Sequence, residues 1–369
     1  MPVRSRSAAA ALAAIFATTA ATQQSPPGHW VIQPPANGVY TGATGGENSG
    51  EGSCEGVGRA AGQVMQFCVN NRFTLDNVAN VLRDGRTAAM GANGTIPLIS
   101  MRCNGNGTPE SGGDVTFNAI AAGAQDAKLQ AAVSALKAYA ARFPKNPWIM
   151  MRPFHEFNLN TGNPPADPNR GNCYSMPEDL AHMQAEYVAA FRHVVSYFIA
   201  HGATNVTWLW CPAVAPVSWK RRGGEAFLRG FYPGDSYVDW TCADTYDKEG
   251  AHGGFGNAFA HVPFFAEFHK PLIIAETAEC NAENRSERCA RNVESQADFI
   301  NELGRALQPG GALARAGIKA WLYFDQSVPT AGYNWSFDRG GLAAFRALVN
   351  NPYFHPPMPH PRWQPFVNV

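Results

Sequence analysis

Eight short apolar runs, separated by longer stretches with helical periodicity, constrain this chain of 369 residues more than any other feature. The runs are 38–42, 64–69, 96–101, 148–154, 206–210, 238–244, 272–276 and 320–324. Runs of this length read as buried strands, and strands that alternate with helices argue for a parallel sheet. Between the third and fourth runs Leu129, Val133, Leu136, Ala140 and Phe143 recur at three- and four-residue steps. Leu180, Met183, Tyr187, Phe191, Val194 and Phe198 follow the fourth run in the same way, and Ala297, Ile300, Leu303 and Leu307 follow the seventh. Each set marks the buried face of a helix. Ser175-Met176-Pro177-Glu178 supplies a cap and first turn for the second of them, and Gly310-Gly311 ends the third. With no internal repeat or low-complexity linker, the pattern predicts one α/β domain over 38–369, a (β/α)8 barrel.

All strands of such a barrel end on one face, and that face carries the chemistry. Two runs end in carboxylates, Trp148 to Phe154 followed by His155-Glu156 and Leu272 to Ala275 followed by Glu276. The two glutamates stand about 120 residues apart, roughly three strand-helix units, which sets them on strands four and seven across the mouth from one another. A pair of carboxyl groups about 5 to 5.5 Å apart splits a glycosidic bond with net retention, one protonating the leaving oxygen while the other attacks the anomeric carbon. The attacking group needs hydrogen-bond donors, and Arg152 and Tyr246 are the nearest candidates. His155 is placed to bond a sugar hydroxyl.

Other chemistries find less support. His155-Glu156 lacks the second histidine of a zinc protease, since Leu159 occupies that place. No G-x-S-x-G elbow or Gly-rich phosphate loop stands out. Asp244 and Asp247 fit sugar or loop hydrogen bonding better than a cation, so neither a metal nor a cofactor is expected. Lys and Arg together number 29, as do Asp and Glu, which leaves no net field to draw nucleic acid or an anionic membrane.

Arg4 and Arg6, an apolar segment over 8–16 and small residues to Thr22 outline a secretory signal over 1–22, too short to span a bilayer. A polar, Pro-rich flexible arm is expected over 23–37. Secretion, extracellular or periplasmic, would let some of the eight cysteines oxidise, and Cys280 with Cys289 closes the shortest loop. Sequons stand at Asn93, Asn106, Asn205, Asn284 and Asn334. A monomer is expected.

Arg152-Pro153-Phe154-His155-Glu156-Phe157-Asn158 resembles the R-P-x-H-E-x-N signature of glycoside hydrolase family 26, which includes β-mannanases. The likeness continues through Trp208-Leu209-Trp210, Tyr232-Pro233-Gly234-Asp235, Tyr246, Ile274-Ala275-Glu276-Thr277 and Tyr323-Phe324-Asp325. The resemblance implies a (β/α)8 barrel that hydrolyses a β-linked plant-type polysaccharide, with Glu156 as acid/base and Glu276 as nucleophile. By the same likeness Tyr246 lies near the nucleophile, and His155 and Trp210 line the reacting subsite. Trp335, after the last strand, suits either the core or an aromatic face for a sugar. β-1,4-Mannan is the first substrate it implies. The polar stretch 159–173 stands where mannanases carry glycine and tryptophans, which admits mixed-linkage β-glucan or β-xylan. A glycan-binding barrel without turnover is the alternative outside enzymes.

Overall fold

The computed structural model describes residues 28–45, 54–75, 77–102, 115–160, 173–175, 179–214, 224–246, 254–283, 289, 294–328 and 333–366. Strands β1 (Gly28–Val31), β2 (Tyr40–Gly45), β3 (Phe67–Thr74), β4 (Ile96–Arg102), β5 (Ile149–Pro153) and β6 (Val206–Trp210) come first in the chain. They are followed by β7 (Trp240–Asp244), β8 (Leu272–Thr277), β9 (Ile318–Asp325), β10 (Ser327–Val328), β11 (Tyr333–Asn334) and β12 (Arg362–Pro365). Strands β2 to β9 close into a barrel in sequence order, every neighbour parallel and β9 paired back onto β2. This is the (β/α)8 architecture the alternating pattern predicts.

Strands covered on both faces read as continuous apolar runs, and β5 to β8 are buried at every position. One parity of each strand fills the lumen, where Tyr40, Phe67, Leu98, Met150, Leu209 and Leu322 form a cluster of their own. The other parity packs under the helices. In the helix Asp126–Arg142 the expected face is buried through Leu129, Val133 and Leu136. The helix Leu180–Ala200 is capped by Asp179, whose side chain accepts the His182 amide, rather than by Ser175. The first two strands start later than their runs. Gly38 turns with φ 103° against the Tyr353 carbonyl, so pairing begins at Tyr40, and Val64 is exposed.

The arm expected to be flexible over 23–37 is, from residue 28 onward, part of the barrel floor. Strand β1 pairs antiparallel with β12, and its neighbour Ile32 is wholly buried in the lumen cluster. The Ile32 amide donates to Thr207 Oγ1 (2.9 Å), and its carbonyl accepts from Trp240 Nε1 (2.8 Å). His29 Nε2 bonds Asp239 at 2.9 Å, and the Trp30 amide donates to Thr204 O (2.7 Å). The apolar residues at Trp30, Val31 and Ile32 explain the docking, since leaving them in water forgoes about 1.5 to 3 kcal/mol for each large side chain. The 1–22 signal lies outside the described residues. Among the described residues, no helix is long and apolar enough to cross a membrane.

Cys280 and Cys289 are joined as the short loop suggests, and Cys54–Cys68 and Cys211–Cys242 are joined as well. Of the sequons, Asn205 and Asn334 are buried, and Asn205 Nδ2 donates to the Pro147 carbonyl (2.6 Å), so neither offers its amide to solvent. Asn93 is exposed at the end of the helix Gly85–Asn93, and Asn106 and Asn284 lie outside the described residues.

Asp325, at the end of β9, is buried with its Oδ1 accepting the Phe337 amide (2.7 Å). Burial pushes its carboxyl from an ordinary value near 3.8 up to about 6, against the pull of that amide. The native state therefore holds a proton that the unfolded chain has already lost between these values, and stability falls by roughly 3 kcal/mol as pH rises through that window. Asp325→Asn, which keeps an acceptor for Phe337, is expected to remove that component of the pH dependence. Melting curves of both proteins from pH 3.5 to 7 check it; parallel curves would contradict it.

Candidate active site

Arg152 organises the mouth of the barrel. It shares the parity of Met150 on β5, so it points into the lumen, where it is wholly buried. Nε donates to Ser100 Oγ on β4 (2.7 Å), Nη1 to both oxygens of Asp244 at the end of β7 (2.6 and 2.7 Å), and Nη2 to Glu276 Oε1 on β8. Three strands are thus tied by one guanidinium. Burial works against its charge, but Asp244 and Glu276 outweigh that and hold it protonated.

Glu276 reaches the lumen through an irregularity. Ala275 already faces inward, so regular alternation would send the next residue out toward the helices. The ladders of β8 shift register on both sides here, between Ala243 and Asp244 against β7 and between Ile274 and Thr277 against β9. Such bulges re-aim side chains next to sites. The re-aimed carboxylate takes Arg152 on one oxygen and the Tyr246 hydroxyl on the other (2.7 Å). Burial, joined by the charges of Glu276, Asp244 and Glu156, raises the Tyr246 phenol well above its ordinary range, so it keeps the proton it donates.

Glu156 sits in the turn that leaves β5. Phe154 and Glu156 adopt φ of 55° and 54°, a region bulky residues enter at a cost of roughly 1 to 3 kcal/mol each. The surroundings impose it. The Phe154 amide donates to Met101 O (2.6 Å), the Glu156 amide to Cys211 O (2.8 Å), and the Phe154 ring packs on Phe117 at 4.9 Å. Asn158 locks the same turn to the exit of β6, its Nδ2 donating to Ala213 O (2.6 Å) and its Oδ1 accepting from Ala213 N (2.9 Å). The asparagine of the R-P-x-H-E-x-N motif is therefore a brace for the loop that carries the glutamate.

His155, Glu156 and Asp244 each bring one nitrogen or oxygen within 4.8 Å of the others, a spacing a cation could bridge. Both Asp244 oxygens already take the Arg152 guanidinium, and that fixed positive charge opposes a second one. Glu156 acts on the same guanidinium, so the two glutamates flank one Arg152–Asp244 pair. An array of two carboxyl groups, one held by two donors and one presented on a strained turn, suits acid-base and nucleophilic chemistry at a polar substrate.

No family model matches the chain. Among solved structures it is similar to a Cellulomonas fimi endo-β-1,4-mannanase (16% identity, 86% of this chain and 72% of that one, TM-score 0.58). It is also similar to the catalytic domain of a Bacillus family 26 endo-β-1,4-mannanase (19% identity, 86% and 87%, TM-score 0.57). The fold is that of the family 26 mannanases. Endoglucanase H of Acetivibrio thermocellus is 32% identical over 166 residues, 42% of this chain; the match spans 16% of that protein's length.

Two tryptophans expected at the substrate, Trp210 from the resemblance and Trp335 from its place after the last strand, lie elsewhere. Trp210 is wholly buried on the outer face of β6, packed on Phe268 (5.2 Å), Tyr232 (5.3 Å) and Phe157 (6.1 Å). Strand alternation is the cause, since Leu209 and Cys211 take the lumen. Trp335 is only 5% exposed and stacks on both Tyr246 (4.7 Å, 28°) and Tyr333 (4.7 Å, 9°). Those contacts occupy its faces and make it a support for Tyr246 instead of a sugar platform. Arg152, His155, Glu156, Tyr246 and Glu276 do come together as the sequence suggests.

Asp244 carries more of the site than a strand-exit carboxylate suggests, and the Asn158 brace and the Cys211–Cys242 link are not among the expectations from sequence. The last was within reach. Cys211 follows the fifth barrel run directly and Cys242 lies in the sixth, so neighbouring strands bring them side by side. Asp247 and 161–172 lie outside the described residues.

Proposed function

We propose that this chain is a family 26 glycoside hydrolase that cleaves internal β-glycosidic bonds of a polysaccharide with net retention, acting without a metal or cofactor. The observation that carries the reading is Glu276, re-aimed into the barrel mouth with Arg152 and Tyr246 on its two oxygens and Glu156 on the facing turn. Glu156 gives its proton to the leaving oxygen as Glu276 attacks the anomeric carbon, and the glycosyl-enzyme is released by a water that Glu156 deprotonates. The Tyr246 hydroxyl and Arg152 orient the attacking oxygens before the sugar arrives, which lowers the barrier through preorganisation. His155 faces the same space and serves a sugar hydroxyl.

β-1,4-Mannan is the favoured substrate, supported by the mannanases that share the fold; the endoglucanase relative favours a β-glucan as the second candidate. Reducing ends released from mannan, mixed-linkage β-glucan and xylan, with product lengths, decide among them. A protein that binds one of these glycans but releases nothing, with Glu156→Ala and Glu276→Ala binding alike, would make it a glycan-binding barrel instead. We also propose that 1–22 is a secretory signal and that the protein acts outside the cytoplasm as a monomer, in keeping with its disulfides.

Trp335→Leu separates support from platform. Loss of the stack under Tyr246 is expected to lower kcat about tenfold with KM little changed, whereas loss of a sugar platform would raise KM. Initial rates over a range of glycan concentrations distinguish them.

A further inference from the structure

The Cys211–Cys242 disulfide lies in the barrel lumen directly against the charged cluster, with both residues wholly buried. Cys211 Sγ stands 3.5 Å from Arg152 Nη1 and 3.6 Å from Asp244 Oδ1. The carbonyl of the same residue accepts the Glu156 amide at 2.8 Å, at the point where Glu156 is held in its left-handed conformation. Cys242 stands two residues before Asp244 on β7. The covalent link therefore joins the segment that seats Glu156 to the strand that seats the partner of Arg152.

That link falls at the shortest ladder of the barrel. The β6–β7 ladder has only Leu209 opposite Trp240 and Trp210 opposite Thr241, whereas β4–β5 runs through Leu98, Ile99, Ser100 and Met101. Beyond Trp210 the two strands are joined by an isolated bridge between Ala213 and Asp244. The ends of these strands hold both catalytic groups indirectly, Cys211 O through the Glu156 amide and Asp244 through the Arg152 that bonds Glu276, and a misplacement of about 1 Å in such groups can cost about a hundredfold in rate.

We propose that the Cys211–Cys242 disulfide is a positioning element of the active site, which fixes the end of β6 against β7 so that Glu156 and the Arg152–Asp244 pair holding Glu276 keep one geometry. The inference rests on the glycosidase reading above. It assigns this disulfide a role in turnover that the Cys54–Cys68 link, between an outer helix and β3, does not share.

The test compares Cys211→Ala/Cys242→Ala, and Cys211→Ala/Cys242→Val, which refills the lumen, with Cys54→Ala/Cys68→Ala. Each is assayed on the glycan that wild type cleaves, at a temperature well below its own melting point. The luminal variants are expected to lose at least tenfold in kcat with KM within about twofold, while the Cys54/Cys68 variant melts lower but keeps kcat within about twofold. A folded luminal variant with wild-type kcat overturns the proposal, and so does an equal loss in the Cys54/Cys68 variant. If neither luminal variant folds, the disulfide is a folding staple and the positioning role falls. A wild type that cleaves no glycan removes the glycosidase reading and this one with it, an outcome distinct from an active wild type with an unaffected luminal variant.

Discussion

Glu276→Ala is expected to lower kcat about ten-thousandfold, roughly 5 kcal/mol in the barrier, and azide is expected to restore part of the turnover as a glycosyl azide of inverted configuration. The reasoning is geometric. With the carboxylate gone, Arg152 and Tyr246 still border a space on the attacking face of the sugar, and a small anion beside a fixed guanidinium can use it. Glu156→Ala should behave differently. It keeps the nucleophile, so a substrate with an activated leaving group still forms the glycosyl-enzyme, and azide then yields a product of retained configuration. Nuclear magnetic resonance of the azide products reads both. Retained configuration from Glu276→Ala, or turnover within tenfold of wild type, would remove Glu276 from the nucleophile's role.

Arg152→Met is expected to cost about 3 to 5 kcal/mol of stability as well as nearly all activity, because it leaves Asp244 buried without its counter-charge. Against a typical stability of roughly 5 to 15 kcal/mol, such a loss brings the protein close to unfolding. The companion Arg152→Met/Asp244→Leu removes the orphaned charge together with its partner. It is expected to recover much of the stability and none of the activity, since Glu276 still lacks its Arg152 donor. Urea unfolding and initial rates on the same preparations decide it. A single variant as stable as wild type would show that the ion cluster does not hold these strands together.

The barrel was legible because its signals are local and repeated: each apolar run carries its own strand, and each three- and four-residue repeat its own helix. The candidate site was legible where a polar residue interrupts such a run at its end, as Arg152, Glu156 and Glu276 do. Side-chain direction was harder. Trp210 belongs to the motif but faces the helices, because one residue of parity decides inside from outside and an apolar run on both faces does not reveal it. Glu276 shows the reverse, since parity alone sends it outward and only the shifted ladders turn it in. Trp335 depends on Tyr246 and Tyr333, which come from separate segments, and no spacing encodes that stack. The N-terminal strand was hidden for a related reason: its partner lies more than 300 residues away.

That distant partner bears on how the molecule is made. Ile32 enters the barrel floor directly after a strand whose hydrogen-bonding edge is supplied by residues 362–365, so the clasp beneath the floor forms only once residues 362–365 have left the ribosome. Until then β1 lacks its hydrogen-bonding partner, and an unpaired strand edge on a nascent barrel is prone to join with others. The β1–β12 clasp thus makes synthesis of residues 362–365 a late step of folding, at the opposite end of the barrel from the strand tips that carry the candidate site.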